Sequence, residues 1–318
     1  MDYLVGSTGF VGTNLKIKHH FDQMFHSANI EQAFEKQPDL LVYSGVPAEM
    51  FLANKNPEKD LDIIKNAIEI IQKINAKQVV LISTIAVYQK TDGVNEDTET
   101  EWEHILPYGR NRCVLEKWVK EKIENHLIVR LPGLYGTHLK KNFIYDLIHQ
   151  IPSMLKKEIF LELAKKEKEI ETYYHLQENG FYQCCAKNRE EKIFLKELFD
   201  RTGFSALCFT DSRGIYQYYP LKELWGHIEK ALKNGITQLN LAVEPVKISE
   251  LYQKLTGKQF ENFLNKPVPY YNYKTKYAEL FGGTNGYIYN KEYILEDIKQ
   301  YVEKEWRKEW GEDAVINF

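Results

Sequence analysis

The stretch Tyr3-Leu4-Val5-Gly6-Ser7-Thr8-Gly9-Phe10-Val11-Gly12 decides the fold. Its three apolar residues read as a short buried strand, and Phe10–Lys18 as the helix that follows. Glycines at positions 6, 9 and 12 let the chain turn tightly, bring backbone close to an anion, and pack the new helix onto the strand. Amides at the helix start then face that anion, helped by the helix dipole. A strand, glycine turn and helix in this order predict a cradle for the pyrophosphate of a dinucleotide, formed by Gly6, Thr8, Gly9, Phe10, Val11 and Gly12.

Outward from this turn the same alternation continues. Gln23–His26, Leu40–Tyr43, Val79–Ile82 and Leu127–Val129 read as strands, and Ile30–Lys36, Leu61–Ile74 and Cys113–Glu124 as helical segments. Continuous apolar strands separated by helices indicate a parallel sheet covered on both faces. The expected fold is therefore α/β, a Rossmann-type doubly wound sheet over residues 1–132. A smaller, mostly helical substrate or cap region would fill 133–318. Within it, the Lys/Glu-rich residues 151–205 read as a helical insertion, and strand character returns near 206–209 and 239–242. A Pro/Tyr/Gly-rich loop over Pro267–Tyr289, with a tyrosine cluster expected to close onto a core, precedes a last amphipathic helix, Lys291–Trp310.

Composition narrows the function classes. With 43% hydrophobic and 13% aromatic residues in 318, the chain has ample material for a core. A net charge of −3, without a basic patch interleaved with aromatics, predicts no nucleic-acid partner. No apolar run has a membrane-spanning length, and the N-terminus begins directly on a strand pattern, so a cytoplasmic protein is expected. The cysteines at 113, 184, 185 and 208 lack ligand or bridge spacing, as do His104, His138 and His149, so neither a metal nor a disulfide is expected.

The second strand ends in Phe25-His26-Ser27-Ala28-Asn29, and no acid follows until Glu31. A carboxylate here would bind the ribose 2′-hydroxyl and repel a 2′-phosphate. Its absence allows either NADP or NAD and mildly favours NADP, with Ser27 as the contact.

Three features in order resemble the extended short-chain dehydrogenase/reductases, the NAD(P)-dependent nucleotide-sugar epimerase, reductase and dehydratase family. They are the glycines 6-9-12, Ser83-Thr84 after a strand, and Tyr108-Gly109-Arg110-Asn111-Arg112. The resemblance implies hydride transfer at a sugar hydroxyl or ketone. Thr84 would hold the reacting oxygen and Tyr108 would exchange its proton, while Gly45, Ser83 and Leu131 would join the cofactor contacts. The family places Lys four residues after the Tyr, one helical turn along. Here Arg112 stands there, keeping the charge but unable to lose its proton; it would hold the nicotinamide ribose and bias Tyr108 toward ionisation.

Other positions narrow the chemistry the resemblance implies. Ile85-Ala86 replaces the acid pair of the dehydratases. Ala86 and the Asn142 neighbourhood lack the Cys and His of the GDP-fucose synthase kind. Hydride transfer by a keto-sugar reductase or a 4-epimerase remains, with a catalytically silent NAD(P)-binding sensor or scaffold as the alternative. Asn142 with Lys141, and Arg213 in place of the family's Arg-Asp pair, would contact the sugar nucleotide. Family pairing through the helix after Tyr108 implies a homodimer.

Overall fold

The computed structural model describes residues 1–100 and 105–312. Six parallel strands form the main sheet: β1 (Asp2–Val5), β2 (Gln23–Phe25), β3 (Leu40–Tyr43), β4 (Val79–Thr84), β5 (His126–Leu131), and a last strand at Gln238–Asn240. Their order is β2-β1-β3-β4-β5 followed by the 238–240 strand. The chain steps from β1 outward to β2, then crosses back to lay β3 on the other side of β1. That reversal opens a crevice between the C-terminal ends of β1 and β3, the place where open α/β sheets bind ligands. The architecture is the doubly wound α/β sheet that the strand pattern predicts.

Burial explains the strand composition. Leu40–Tyr43 is buried throughout and β5 over all but its first residue, because helices cover both faces. On one face lie α3 (Pro57–Ile74) and α4 (Pro107–Lys122); Ile64, Ala67, Ile71 and Ile74 of α3 and Leu115 and Val119 of α4 pack on Tyr3, Val5, Leu41, Val79 and Leu81. Helix α3 starts with Pro57 in its first turn beside Glu58 and Asp60, and stops at Asn75 in the left-handed region. The other face carries α1 (Phe10–Lys18) and the Leu224–Lys233 helix.

The chain forms two compact units. The first holds residues 1–138, 215–246 and 270–294, the second 139–214, 247–269 and 295–318. In the second unit, residues 151–205 are not wholly helical: Met154–Lys156, Phe181–Cys184 and Tyr174–Leu176 build a three-stranded antiparallel sheet. Asn179-Gly180 makes the hairpin, with Gly180 at φ +84° and the Asn179 carboxamide accepting from the Phe181 amide at 3.0 Å. The Lys/Glu richness belongs to the flanking helices, Lys157–Lys166 and Arg189–Thr202, whose apolar faces bury Phe160, Leu163, Leu195 and Leu198. Residues 206–209 are also not a strand. Ser205 caps a 3₁₀ turn there through the Leu207 amide, a local bond that outcompetes strand pairing. The strand near 239–242 is present as Gln238–Asn240 and pairs with β5. Ile30–Ala33 is a 3₁₀ turn. In the tyrosine cluster, Tyr273 is buried in a core with Tyr88 and Val87, whereas Tyr270 is exposed.

One buried polar chain ties the covering helix to the sheet. Glu116 of α4 accepts from Arg130 of β5 through Nε (3.0 Å) and Nη2 (2.5 Å) and from the Ser83 hydroxyl (2.6 Å). Arg130 Nη1 donates to the Tyr88 hydroxyl at 2.6 Å, which in turn contacts Asn240 on the last strand. Breaking such a pair strands a charge in the interior. We expect Glu116→Gln to cost about 3–5 kcal/mol in urea unfolding; a loss below about 1 kcal/mol would show that water reaches Arg130.

Candidate functional site

The glycine turn sits at the C-terminal end of β1. Gly6 is at φ +86°, and a Cβ there would lie 2.5 Å from the Ser44 carbonyl oxygen, so only glycine fits between the ends of β1 and β3. A Cβ on Gly12 would come within 2.2 Å of the Gly6 carbonyl oxygen, which is how closely α1 packs on the turn. Gly9 caps α1 without a side-chain hydrogen bond, and its Cβ would meet nothing nearer than Gly6 oxygen at 3.3 Å. The first-turn amides of Phe10, Val11 and Gly12 thus point out of a helix start that no side chain covers. This is the geometry of an anion cradle.

The neighbouring strand ends carry the other predicted contacts. Ser44 donates both its amide and its hydroxyl to the Val5 carbonyl, each at 2.9 Å, which places Gly45 at the rim of the same crevice. Ser27 is exposed in the turn after β2, where the Asn29 carboxamide accepts from the His26 amide at 2.8 Å. Leu131 is buried and pairs in register with Thr84. Ser83, predicted to face a cofactor, donates its hydroxyl to buried Glu116.

Thr84 ends β4 and caps a short 3₁₀ turn, Ile85–Val87, its oxygen accepting from the Ala86 amide at 3.1 Å. That bond uses the acceptor side of the hydroxyl and leaves its proton to donate. Helix α4 comes so close to this turn that a Cβ on Gly109 would lie 1.9 Å from the Ala86 carbonyl oxygen. The contact sets Tyr108 beside Thr84, whose hydroxyl helps pull the phenol's pKa down. Helix α2 (Met50–Lys55) fixes the start of α4: the Tyr108 amide donates to the Asn54 carboxamide at 2.9 Å.

Arg112 lies one turn further on the same face and is 5% exposed. Its Nη1 donates to Asp60 of α3 at 2.6 Å and to the Tyr108 carbonyl at 3.1 Å, and its Nη2 to the Pro47 carbonyl at 2.8 Å. The guanidinium carbon stands 3.8 Å from the centre of the Tyr108 ring. Burial raises the Tyr108 phenol above its ordinary range; Arg112 and the Thr84 hydrogen bond pull it down, and Asp60 pushes it back up. Burial prevails, so the bias toward ionisation expected of Arg112 does not carry through. Three residues that shape this site were not legible as site residues: Asp60, which the helical period presents as one more first-turn acid, Pro47, which acts through its backbone, and Gly109.

Lys141, Asn142 and Arg213 belong to the second unit. Lys141 is exposed. Asn142 caps the Phe143–His149 helix through the Tyr145 amide at 3.1 Å. Arg213 forms a two-pronged pair with the buried carboxylate of Asp211, at 2.9 and 2.7 Å. Among the described residues no group of three or more His, Cys, Asp or Glu could hold a metal; His149 pairs with Glu309, and His104 lies outside the described residues. No helix among those residues is long and apolar enough to cross a membrane.

A glycine cradle at the sheet's switch point and a Thr–Tyr pair at the end of β4 define a Rossmann-fold short-chain dehydrogenase/reductase site. Residues 3–166, more than half of the chain, match the family model described as the RmlD substrate binding domain. The chain belongs to this family and, with it, to the extended short-chain dehydrogenase/reductases. Its structure resembles a dTDP-4-dehydrorhamnose reductase from Bacillus anthracis in complex with NADP (TM-score 0.61, 16% identity, 95% of this chain and 97% of that one). It also resembles RMD from Pseudomonas aeruginosa complexed with NADPH (TM-score 0.61, 14% identity, 98% and 100%) and a UDP-galactose 4-epimerase (TM-score 0.62, 14% identity, 98% and 100%). At such identities the likeness speaks for the fold. No curated protein sequence matches the chain.

Because Gly109 permits the approach of α4 to Ala86, Gly109→Ala must push the helix away. We expect a loss of about 1–3 kcal/mol in urea unfolding, as for overpacked cores; a change within about 0.5 kcal/mol would refute the close contact.

Proposed function

We propose that this chain is an NAD(P)-dependent oxidoreductase that reduces a keto carbon of a nucleotide-activated sugar. The observation that carries the reading is that Tyr108 and Thr84 stand together at the end of β4, two strands from an uncapped glycine cradle on β1 in one parallel sheet. The cradle fits a pyrophosphate: Gly6 and Gly12 stand where a side chain would collide with backbone, and the amides of Phe10, Val11 and Gly12 supply donors. Gly45 and Leu131, at the ends of β3 and β5, would flank the nicotinamide half. The turn at Ser27, without a carboxylate, suits NADP somewhat better than NAD.

When bound, the reduced nicotinamide supplies the hydride. The chain's residues do the rest. Thr84, with its acceptor side held by the Ala86 amide, donates to the substrate's carbonyl oxygen and fixes its position. Tyr108, held as a phenol by burial, donates a proton to the same oxygen as negative charge develops there. Arg112 stacks on the phenol and steadies the ring against α3. Lys141, Asn142 and Arg213 carry donors of the kind that suits the phosphate oxygens of a sugar diphosphate.

The structural neighbours support this reading by their names, one being a dehydrorhamnose reductase and one an epimerase. A 4-epimerase must first take a proton from a sugar hydroxyl, which asks for a phenolate. The raised Tyr108 favours the reductase.

Consumption of NADPH in the presence of nucleotide-linked 4-keto-hexoses, beginning with the dTDP-linked sugar, tests the assignment. Tyr108→Phe should lower turnover by about 10²–10⁴-fold, the usual worth of a positioned acid, and leave calorimetric NADPH affinity within about threefold of wild type. Turnover unchanged in that variant would remove Tyr108 from the chemistry. No heat with either pyridine nucleotide would remove the cofactor.

A further inference from the structure

We propose that Asp60 is a positioning residue that seats Arg112 beside Tyr108 and offsets its charge, so that Tyr108 is kept a proton donor. The proposal rests on the oxidoreductase reading and adds to it a residue.

The geometry is specific to this chain. Where its family has a Lys, whose ammonium on a flexible stem can turn among several acceptors, the guanidinium here is a planar fork with fixed donors. Arg112 plants that fork on three separate elements: Asp60 of α3, the Pro47 carbonyl after β3, and the Tyr108 carbonyl of its own helix. Asp60 anchors the arrangement. It is 6% exposed, and its Oδ2 accepts from both Arg112 (2.6 Å) and the neighbouring Asn111 carboxamide (2.8 Å). Asn111 also donates to the carbonyl of Pro57, in the first turn of α3, at 3.0 Å. One carboxylate thus fixes two consecutive residues of α4 just past Tyr108.

Two consequences follow. The buried guanidinium has its carbon 3.8 Å from the centre of the phenol ring, so Tyr108 cannot swing away from Thr84 without disturbing the fork. The fork's charge is also matched at hydrogen-bond distance by an opposite charge in a dry setting, so the field reaching the Tyr108 hydroxyl is that of a pair. The groups acting on that hydroxyl are Arg112 of α4, Asp60 of α3 and the Thr84 hydroxyl of β4, together with burial, which dominates. A protonated phenol serves reduction. Hydride from the reduced nicotinamide adds to the carbonyl carbon, the C=O pair moves onto oxygen, and that oxygen takes the Tyr108 proton to become the alcohol. The nicotinamide leaves oxidised and water restores the phenol's proton. Oxidation needs the reverse, a phenolate waiting to accept, which burial disfavours while Asp60 offsets part of the pull of Arg112.

The test reads Tyr108 itself and needs neither cofactor nor substrate. Protein labelled with carbon-13 at the tyrosine Cζ is titrated by NMR, the Tyr108 resonance being the one missing from Tyr108→Phe. In the wild-type chain this phenol should ionise above the ordinary tyrosine range. Asp60→Asn keeps an acceptor for Arg112 and Asn111 but removes the charge. It should lower the midpoint by at least about one pH unit, a tenfold change in proton affinity. In Asp60→Asn with Arg112→Gln, where both charges are gone, the midpoint should return toward wild type. With substrate, the high-pH limb of NADPH-driven reduction should move down by the same interval in Asp60→Asn.

An unshifted midpoint in Asp60→Asn overturns the proposal, as does a shift equalled by the double variant. Should Asp60→Asn not fold, the wild-type titration decides: ionisation at or below the ordinary range overturns the proposal, and ionisation above it in the wild type and the double variant alike upholds it. Absence of pyridine-nucleotide binding would sink the oxidoreductase reading while leaving every NMR arm readable.

Discussion

Helix α4 brings two opposite charges, Arg112 and Glu116, into the protein interior one turn apart, and neither can remain there unmatched. Glu116 finds Arg130 on β5, and Arg112 finds Asp60 on α3. The partners lie on different elements, so satisfying both fixes the rotation of α4 about its axis and its height on the sheet. Gly109 then removes the last obstacle, letting the helix touch the Ala86 carbonyl at the turn where Thr84 ends its strand. The position of Tyr108 is thus a consequence of electrostatic necessity four and eight residues further along the helix, and only secondarily of the contacts made by its own ring.

Arg112 has its physical sense in this setting. An ammonium can be a mobile charge that turns among several acceptors. The guanidinium is instead bonded to carbonyls and a carboxylate of the protein, its carbon 3.8 Å from the centre of the phenol ring. Its charge pulls the phenol's pKa down, and burial outweighs that pull.

The second unit follows a different logic. Its core of Leu155, Phe160, Leu163, Ile170, Tyr174, Leu195, Leu198 and Phe199 is built where two amphipathic helices cover a small antiparallel sheet. Lys and Glu dominate the composition because they coat the outer helix faces, and this masked three short strands, two of them joined at Asn179-Gly180. The Asn-Gly pair flanked by Tyr174–Leu176 and Phe181–Cys184 is itself a hairpin signal. At Ala206–Phe209 the opposite happened: an apolar run suggested a strand, but the Ser205 hydroxyl supplied a local bond that turned it into a 3₁₀ segment.

The sequence by itself determined the parallel α/β sheet, the glycine turn and the order of Thr84 and Tyr108. Each of these depends on local rules: unbroken apolar runs, positions where a side chain would collide with backbone, and helical spacing. What it could not determine is which acid meets which base. Asp60 and Arg112 are 52 residues apart, and Ser83, Glu116, Arg130 and Tyr88 converge from two strands, a helix and a turn. Nothing in the neighbourhood of Asp60 distinguishes it from any first-turn helix acid until α3 and α4 lie side by side. Only the tertiary structure decides that pairing, because the cost of burying a charge depends on what the fold brings within hydrogen-bond distance of it.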